Sequence, residues 1–175
     1  MEVILIRHTS VNVPKGTCYG WTDVPVNNTF ESEAAATKSA ISHLSFDEVF
    51  SSPLTRAKKL AAYCGFTDPI IDNRLKEINM GAWEMQLFDE IKDDNLQRWY
   101  DDFMHVAPTN GETYQQLYAR VASFLDELKT KHYKCVAAFA HGGVLMCAGI
   151  YGGLFTAEDC LNHLVPFGGT EKIII

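Results

Sequence analysis

The stretch Val3-Ile4-Leu5-Ile6-Arg7-His8 is the strongest indication of the fold of this chain. Its first four residues are apolar and mostly β-branched, which is typical of a parallel strand that is buried on both faces. Arg7 and His8 follow where this strand ends. Open α/β sheets bind ligands at the carboxyl ends of their strands, so the sequence predicts a binding crevice at these two residues.

A second apolar run, Val136-Ala137-Ala138-Phe139-Ala140, ends in the same way, in His141-Gly142-Gly143. If the two strands are neighbours in the sheet, His8 and His141 face each other across one crevice. Arg7 then adds a fixed positive charge beside them. Such a site suits an anion, and the amide groups at Gly142-Gly143, which open a predicted helix, add dipolar attraction.

Predicted strands and helices alternate along the rest of the chain. The predicted strands cover residues 2–7, 47–51, 69–72, 136–140 and 172–175. The predicted helices cover residues 31–44, 53–63, 85–103, 113–132 and 143–151. This alternation predicts an α/β fold of three layers, α/β/α, around a mainly parallel central sheet. A chain of 175 residues is enough for one core, so we expect a single domain over 1–175 with a helical cap around 79–110.

Composition and charge argue against several classes of protein. The net charge is −7, from 15 basic and 22 acidic side chains, which argues against nucleic-acid binding. The N-terminal apolar run is too short for a signal peptide, and no run approaches the roughly 18 apolar residues of a membrane span. We therefore expect a soluble, cytoplasmic protein without a membrane partner. The sequence leaves open whether it forms a homo-oligomer.

The cysteines also favour an intracellular protein without a metal centre. Their number is odd, and they are widely spaced and include no Cys-x-x-Cys pair. Buried thiols in a reducing compartment are the expected state of Cys18, Cys64, Cys135, Cys147 and Cys160.

Two further charged residues come just past predicted strands. Arg56 lies about one turn into the helix after the second strand, and Glu77 lies in the loop after the third. Guanidinium groups hold phosphate through paired, charge-assisted hydrogen bonds, and neutral imidazole is a nucleophile near pH 7. The residues alone leave open which of the two histidines would attack. They also leave open a structural role for each residue taken singly.

Several separated motifs then occur in one order: Arg7-His8, Gly20-Trp21-Thr22-Asp23-Val24-Pro25, Ser51-Ser52-Pro53-Leu54-Thr55-Arg56-Ala57, Leu75-Lys76-Glu77 with Gly81 and Trp83-Glu84, Gly111-Glu112-Thr113 and Ala140-His141-Gly142-Gly143. This series resembles the histidine phosphatase superfamily, also called phosphoglycerate mutase-like, over essentially the full length. The resemblance implies the three-layer fold of that superfamily and one histidine phosphatase domain over 1–175.

The resemblance also implies a phosphomonoesterase that uses neither a cofactor nor a metal. His8 is implied as the nucleophile, with Arg7, Arg56 and His141 stabilising the transferring phosphoryl group. Glu77 is implied to protonate the leaving group and then to activate water. The residues expected to bind the substrate, a small phosphate monoester, are Arg7, Arg56, His141, Gly142, Tyr19, Gly20 and Trp21.

The opening Arg7-His8-Thr9-Ser10-Val11 departs from the usual Arg-His-Gly-Glu-Thr. Together with residues 16–25, this variant resembles the α-ribazole phosphatase branch, whose members remove the 5′-phosphate of α-ribazole phosphate during assembly of the cobalamin nucleotide loop. For a benzimidazole substrate, Tyr19 and Trp21 are the expected stacking residues, whereas Trp99, Tyr100 and Phe103 are expected to pack the cap. Three alternatives remain: a broad-specificity or sugar-phosphate phosphatase, a phosphoglycerate mutase and an inactive phosphate-binding protein.

Overall fold

The computed structural model describes all residues, 1–175. Its strands are β1 (Glu2–Arg7), β2 (Glu48–Ser51), β3 (Ile70–Ile71), β4 (Cys135–Ala140) and β5 (Thr170–Ile174). Its helices are α1 (Phe30–Ile41), α2 (Thr55–Cys64), α3 (Asn95–Asp101), α4 (Tyr114–Lys129) and α5 (Gly142–Tyr151). No helix combines the length and the apolar character that crossing a membrane requires.

The five strands form one sheet in the order β3-β2-β4-β1-β5. All neighbours are parallel except β5, which runs antiparallel to β1 at one edge. In the register of the central pair, Arg7 lies opposite Ala140. The residues that follow these two positions are His8 and His141, so the sheet brings them to the same edge, as the sequence predicts.

Helices cover both faces of the sheet, and the alternation of side chains along β1 explains how. Val3 and Leu5 point into a core cluster shared with α4 and α5. Ile4 and Ile6 point into a second cluster shared with α1 and α2. Because successive strand residues face opposite ways, a strand buried on both faces must be apolar throughout. The predicted three-layer α/β/α fold is confirmed.

The segment that the sequence predicts as a helix over 85–103 is largely irregular. It contains one 3-10 turn at Phe88–Glu90 and the seven-residue helix α3. The backbone around Met85 instead pairs with the loop after β1, since Met85 donates to the Cys18 carbonyl and Cys18 donates to the Gln86 carbonyl. Met85 also has a φ of 67°, which no α-helix allows. The pairing with a distant loop overrides the local helix propensity.

Helix α4 begins at a capping box that belongs to the Gly111-Glu112-Thr113 motif. The Thr113 hydroxyl accepts from the backbone N–H of Gln116, and the Gln116 side chain accepts from the backbone N–H of Thr113. These two bonds satisfy amide groups that the first turn of a helix leaves without partners.

Replacing Thr113 by Ala removes one of these bonds and should lower the free energy of unfolding by about 1 kcal/mol. Urea denaturation measures this change as a lower midpoint with an unchanged slope. Thr113→Ser keeps the hydroxyl and should stay close to the wild-type midpoint. Equal destabilisation by both variants would show that the cap bond contributes nothing.

Candidate active site

The two histidines at the end of β1 and β4 are in contact. The ring centroids of His8 and His141 lie 5.1 Å apart, and the rings are tilted by 59°. Only 2% of His8 and none of His141 is exposed. Burial disfavours the charged imidazolium, and the cationic Arg56 and Arg7 disfavour it further. These effects lower the pKa of His8 to about 3 and that of His141 well below its ordinary value, so both rings are neutral at pH 7.

The hydrogen bond of His8 determines which of its nitrogens is free. Its Nδ1 lies 2.7 Å from the carbonyl oxygen of Thr9. A carbonyl oxygen can only accept, so Nδ1 must carry the proton of the neutral ring. The lone pair is then on Nε2, and His8 lines the main cavity of the protein. A neutral ring with a free Nε2 lone pair is the form that a histidine nucleophile requires.

His141 has the opposite arrangement. Its Nε2 lies 2.8 Å from the Ser52 hydroxyl oxygen, which also accepts from the backbone N–H of Leu54 at 3.3 Å. The hydroxyl proton can therefore be donated to Nε2, which leaves the ring proton on Nδ1. That Nδ1 is buried and has no acceptor within the protein. We infer that His141 is a hydrogen-bond donor and not a nucleophile.

Arg7 supplies positive charge at the cavity. Its Nη1 donates to the Val165 carbonyl at 2.5 Å, and its guanidinium lies 4.1 Å from the ring centre of Phe167. Its Nε is buried and has no acceptor in the protein. Gly142 is close by, and a Cβ there would come within 3.2 Å of the Arg7 guanidinium carbon. The glycine thus allows the first turn of α5 to approach this charge.

Arg56 is fully buried, and its charge acts on both histidines. Its Nη1 and Nη2 donate to the carbonyls of Thr22 and Gly20 at 3.0 and 2.6 Å, while its Nε has no acceptor. The Glu84 carboxylate holds the same loop by accepting from the backbone N–H groups of Trp21 and Thr22. Arg56 is therefore oriented by backbone carbonyls, and its Nε and the second N–H of each Nη remain free to bind an anion.

Glu77 faces the cavity from the loop after β3. Its Oε2 accepts from the backbone N–H of Gly143 at 3.2 Å, and its Oε1 accepts from that of Ile78 at 2.9 Å. A side chain at position 143 would collide with the Glu77 carboxyl group. The carboxylate therefore lies at the N-terminal end of α5, in the same cavity as Arg7 and His8.

The cavity has a volume of about 480 Å³, and 12 of its 18 lining residues are hydrophobic. Next to Arg7, His8 and Glu77 it has an aromatic wall, which consists of Tyr19, Phe88, Trp99, Tyr100, Phe103 and Tyr114. Leu161 and Leu164, which come between α5 and β5, also line it. The cavity thus combines charged groups that suit a phosphate with aromatic side chains that suit an aromatic group.

Of the residues expected at the site, Arg7, His8, Tyr19, Glu77 and Gly142 line this cavity, whereas Arg56, His141, Gly20 and Trp21 do not. Trp21 is 41% exposed, lies outside it and has the Lys76 ammonium 4.5 Å above its ring. Gly20 is buried, and its carbonyl is occupied by Arg56. The wall instead includes Trp99, Tyr100 and Phe103, which the sequence assigned to packing of the cap. Trp99 and Tyr100 lie in the short helix α3, which follows the irregular stretch that pairs with a distant loop.

Three other contributors to the site were not identified as such from the sequence. Ser52 sets the tautomer of His141, Thr9 sets that of His8, and Phe167 packs on His8 with ring centroids 5.5 Å apart. Ser52 belongs to the same motif as Arg56, but nothing in the sequence connects it with His141. His163 stacks on Phe155 and does not line the cavity.

The ring assignments predict a spectroscopic result. In ¹⁵N NMR spectra, His8 and His141 should remain neutral between about pH 5 and 8, where an unperturbed histidine titrates. Both should carry the ring proton on Nδ1. The corresponding signals are assigned by their loss in His8→Asn and His141→Asn. A titration of His8 near its ordinary pKa, or a proton on its Nε2, would contradict the assignment.

Comparison with known proteins agrees with the resemblance seen in the sequence. The model of the histidine phosphatase superfamily (branch 1) matches residues 3–152. An adenosylcobalamin/alpha-ribazole phosphatase of Escherichia coli strain K12 is 32% identical over 83% of this chain and 75% of its own. Phosphoserine phosphatase 1 of Hydrogenobacter thermophilus is 27% identical over 76% of this chain and 66% of its own. The crystal structure of the alpha-ribazole phosphatase from Shigella flexneri superimposes with a TM-score of 0.88 at 29% identity, covering 100% of this chain and 91% of that one. The chain belongs to the histidine phosphatase superfamily (branch 1).

Proposed function

We propose that this protein is a phosphomonoesterase that hydrolyses α-ribazole 5′-phosphate to α-ribazole and phosphate, in assembly of the cobalamin nucleotide loop. The observation that carries this proposal is the combination of two kinds of group at one cavity. The first is a neutral His8 beside N–H donors that have no protein acceptor. The second is the aromatic wall.

In the first step, Nε2 of His8 attacks phosphorus and the bond from phosphorus to the ester oxygen breaks. The donors available to the phosphoryl oxygens are the guanidinium groups of Arg7 and Arg56 and Nδ1 of His141. Fixed donors of this kind stabilise transferring charge without reorganisation during the reaction. Protonated Glu77 gives its proton to the departing alkoxide, which leaves as the alcohol.

In the second step, water attacks the phosphohistidine. Glu77, now a carboxylate, takes the proton of that water, phosphate is released and His8 is regenerated. One carboxyl group serves both steps because it gives a proton in the first and recovers one in the second. The N-terminal end of α5, where Gly143 binds Glu77, adds its dipole to the stabilisation of the anion.

The aromatic wall is what favours α-ribazole over other esters. A benzimidazole ring gains contact with Tyr19, Trp99 and Tyr100, whereas a sugar or a serine would leave its hydroxyl or charged groups without partners there. The relatives named as alpha-ribazole phosphatases support the same substrate. The alternative is a broad-specificity phosphatase that uses the same catalytic groups and makes little use of the wall.

We further propose that residues 1–175 form one histidine phosphatase domain, with the segment 79–110 as its cap. This segment supplies Phe88, Trp99, Tyr100 and Phe103 to the wall. We also propose that the protein works in the cytoplasm, which its five free cysteines support. Its assembly into a homo-oligomer stays a prediction.

Phosphate release from α-ribazole 5′-phosphate and from a panel of sugar phosphates tests the proposal. In the presence of a chelator, kcat/KM for α-ribazole 5′-phosphate should exceed that for each sugar phosphate by about tenfold or more, as expected for a stacked ring. His8→Ala removes the nucleophile and should lower it by at least about 10⁴-fold, since loss of a nucleophile costs up to about 10⁶-fold in a protease. His43→Ala changes an exposed histidine and is the matched control. Comparable rates on all esters would retain the mechanism and reject the substrate, and no release from any ester would reject both.

Removing one aromatic ring from the wall tests the leaving-group assignment. Tyr100 lines the cavity and is 53% exposed, so its loss should leave the fold intact. Tyr100→Ala should raise KM for α-ribazole 5′-phosphate about three- to tenfold, the value of one aromatic contact. KM for glycerol phosphate, which has no ring, should not change. Tyr63→Ala, on α2, is the control, and equal effects on both esters would argue against a ring at this wall.

A further inference from the structure

Arg120 gives all of its observed hydrogen bonds to the segment that carries Glu77 and to Glu112. It belongs to α4, which packs against the loop after β3. Its Nη1 donates to the carbonyls of Arg74 and Lys76, both at 2.6 Å, and its Nη2 donates to the carbonyl of Glu77 at 2.9 Å. One guanidinium group thus holds the stretch of backbone that carries the Glu77 side chain.

Glu112 holds Arg120 in this orientation. The Arg120 Nε donates to Glu112 Oε1 at 2.8 Å, and the Arg120 Nη2 donates to Oε2 at 2.9 Å. Oε2 also accepts from the backbone N–H of Asn79 at 3.1 Å, and the Glu112 N–H donates to the Asn79 carbonyl at 2.9 Å. The Arg120–Glu112 ion pair therefore binds the backbone on both sides of Glu77, at Arg74 and Lys76 before it and at Asn79 after it.

The segment needs such a support because it has little regular structure. Only Asn73–Leu75 forms a 3-10 turn, so no strand or helix fixes the backbone at Glu77. The side chains of Arg120 and Glu112 are 17% and 13% exposed, so water competes weakly with their bonds. The planar fork of a guanidinium can serve several carbonyls and a carboxylate at once, which the single ammonium of a lysine cannot match.

We propose that Arg120 is a positioning residue for Glu77 and that Glu112 orients Arg120. This inference rests on the proposed role of Glu77 as proton donor to the leaving group. It also gives a role to the Gly111-Glu112-Thr113 motif, which the mechanism above does not use. A rigid backbone here keeps the Glu77 carboxyl group at the distance from the ester oxygen that proton transfer requires.

The leaving group distinguishes positioning from general structural support. An alkoxide needs a proton as it departs, whereas p-nitrophenolate is stable without one, so only the alkyl ester requires a well-placed acid. Loss of positioning should therefore slow phosphorylation of His8 by an alkyl ester and spare phosphorylation by p-nitrophenyl phosphate. A variant that is merely less well folded should lose both rates by the same factor.

The experiment measures the single-turnover rate of His8 phosphorylation with α-ribazole 5′-phosphate and with p-nitrophenyl phosphate. Arg120→Met should lower the first rate about 10- to 100-fold, as expected for a displaced catalytic group. The rate with p-nitrophenyl phosphate should stay within about threefold of the wild-type rate, because an acid contributes little to the departure of p-nitrophenolate. Glu77→Gln should show the same selectivity, and Arg120→Met combined with Glu77→Gln should be no slower than Glu77→Gln alone.

Two further variants distinguish a loss of positioning from a loss of folded protein. Glu112→Gln keeps the size of the side chain and removes its charge. It should slow His8 phosphorylation by α-ribazole 5′-phosphate less than Arg120→Met does, and it should spare phosphorylation by p-nitrophenyl phosphate. Arg74→Met is the matched control, since the Arg74 side chain pairs with Asp72 and Glu127 and does not contact the backbone at Glu77. It should change stability and leave both rates, per folded molecule, unchanged.

Equal losses on the two esters, or losses that multiply in the double variant, would overturn the positioning role while leaving the proposed function intact. A wild-type protein that phosphorylates His8 with neither ester would overturn the proposed function itself. A Glu77→Gln variant that keeps the wild-type rate on the alkyl ester would overturn the acid role of Glu77, and the role of Arg120 with it.

Discussion

The parallel pairing of β1 with β4 is the constraint on which the rest of the site depends. Its register places Arg7 opposite Ala140, and so the next residue of each strand is a histidine at the same edge. Both strands are buried on both faces, and a shift by one residue would exchange their side chains between the two cores. The apolar packing of the sheet thereby fixes the spacing of the two imidazole rings.

Burial removes the charge of the two histidines but not that of the arginines around them. The imidazoles lose their charge, because a neutral ring is the cheaper species in an apolar interior. The guanidinium groups are desolvated too, yet each keeps backbone carbonyl acceptors, from Val165 for Arg7 and from Gly20 and Thr22 for Arg56. Main-chain oxygens carry only a partial charge, so they hold the cations in place without neutralising them.

The sequence predicted the parts of this structure that depend on local pattern. Apolar runs identified β1 and β4, and the polar residues at their ends identified His8 and His141. The aromatic wall was not predictable in the same way, because residues 85–103 have a helical composition and take their course from a pairing with Cys18 far along the chain. The roles of Ser52, Thr9 and Arg120 depend on hydrogen bonds to distant or main-chain partners, which residue types alone do not specify.

The aromatic wall also bears on the fate of the phosphohistidine. On the proposed mechanism, the departing alcohol and the incoming water use the same side of the phosphorus atom, and that side opens onto an apolar surface that holds the alcohol better than it holds water. Hydrolysis must therefore wait until the alcohol has left. An alcohol that stays can take the phosphoryl group back, so the same wall that selects an aromatic ester also makes its product a competitor of water for the intermediate.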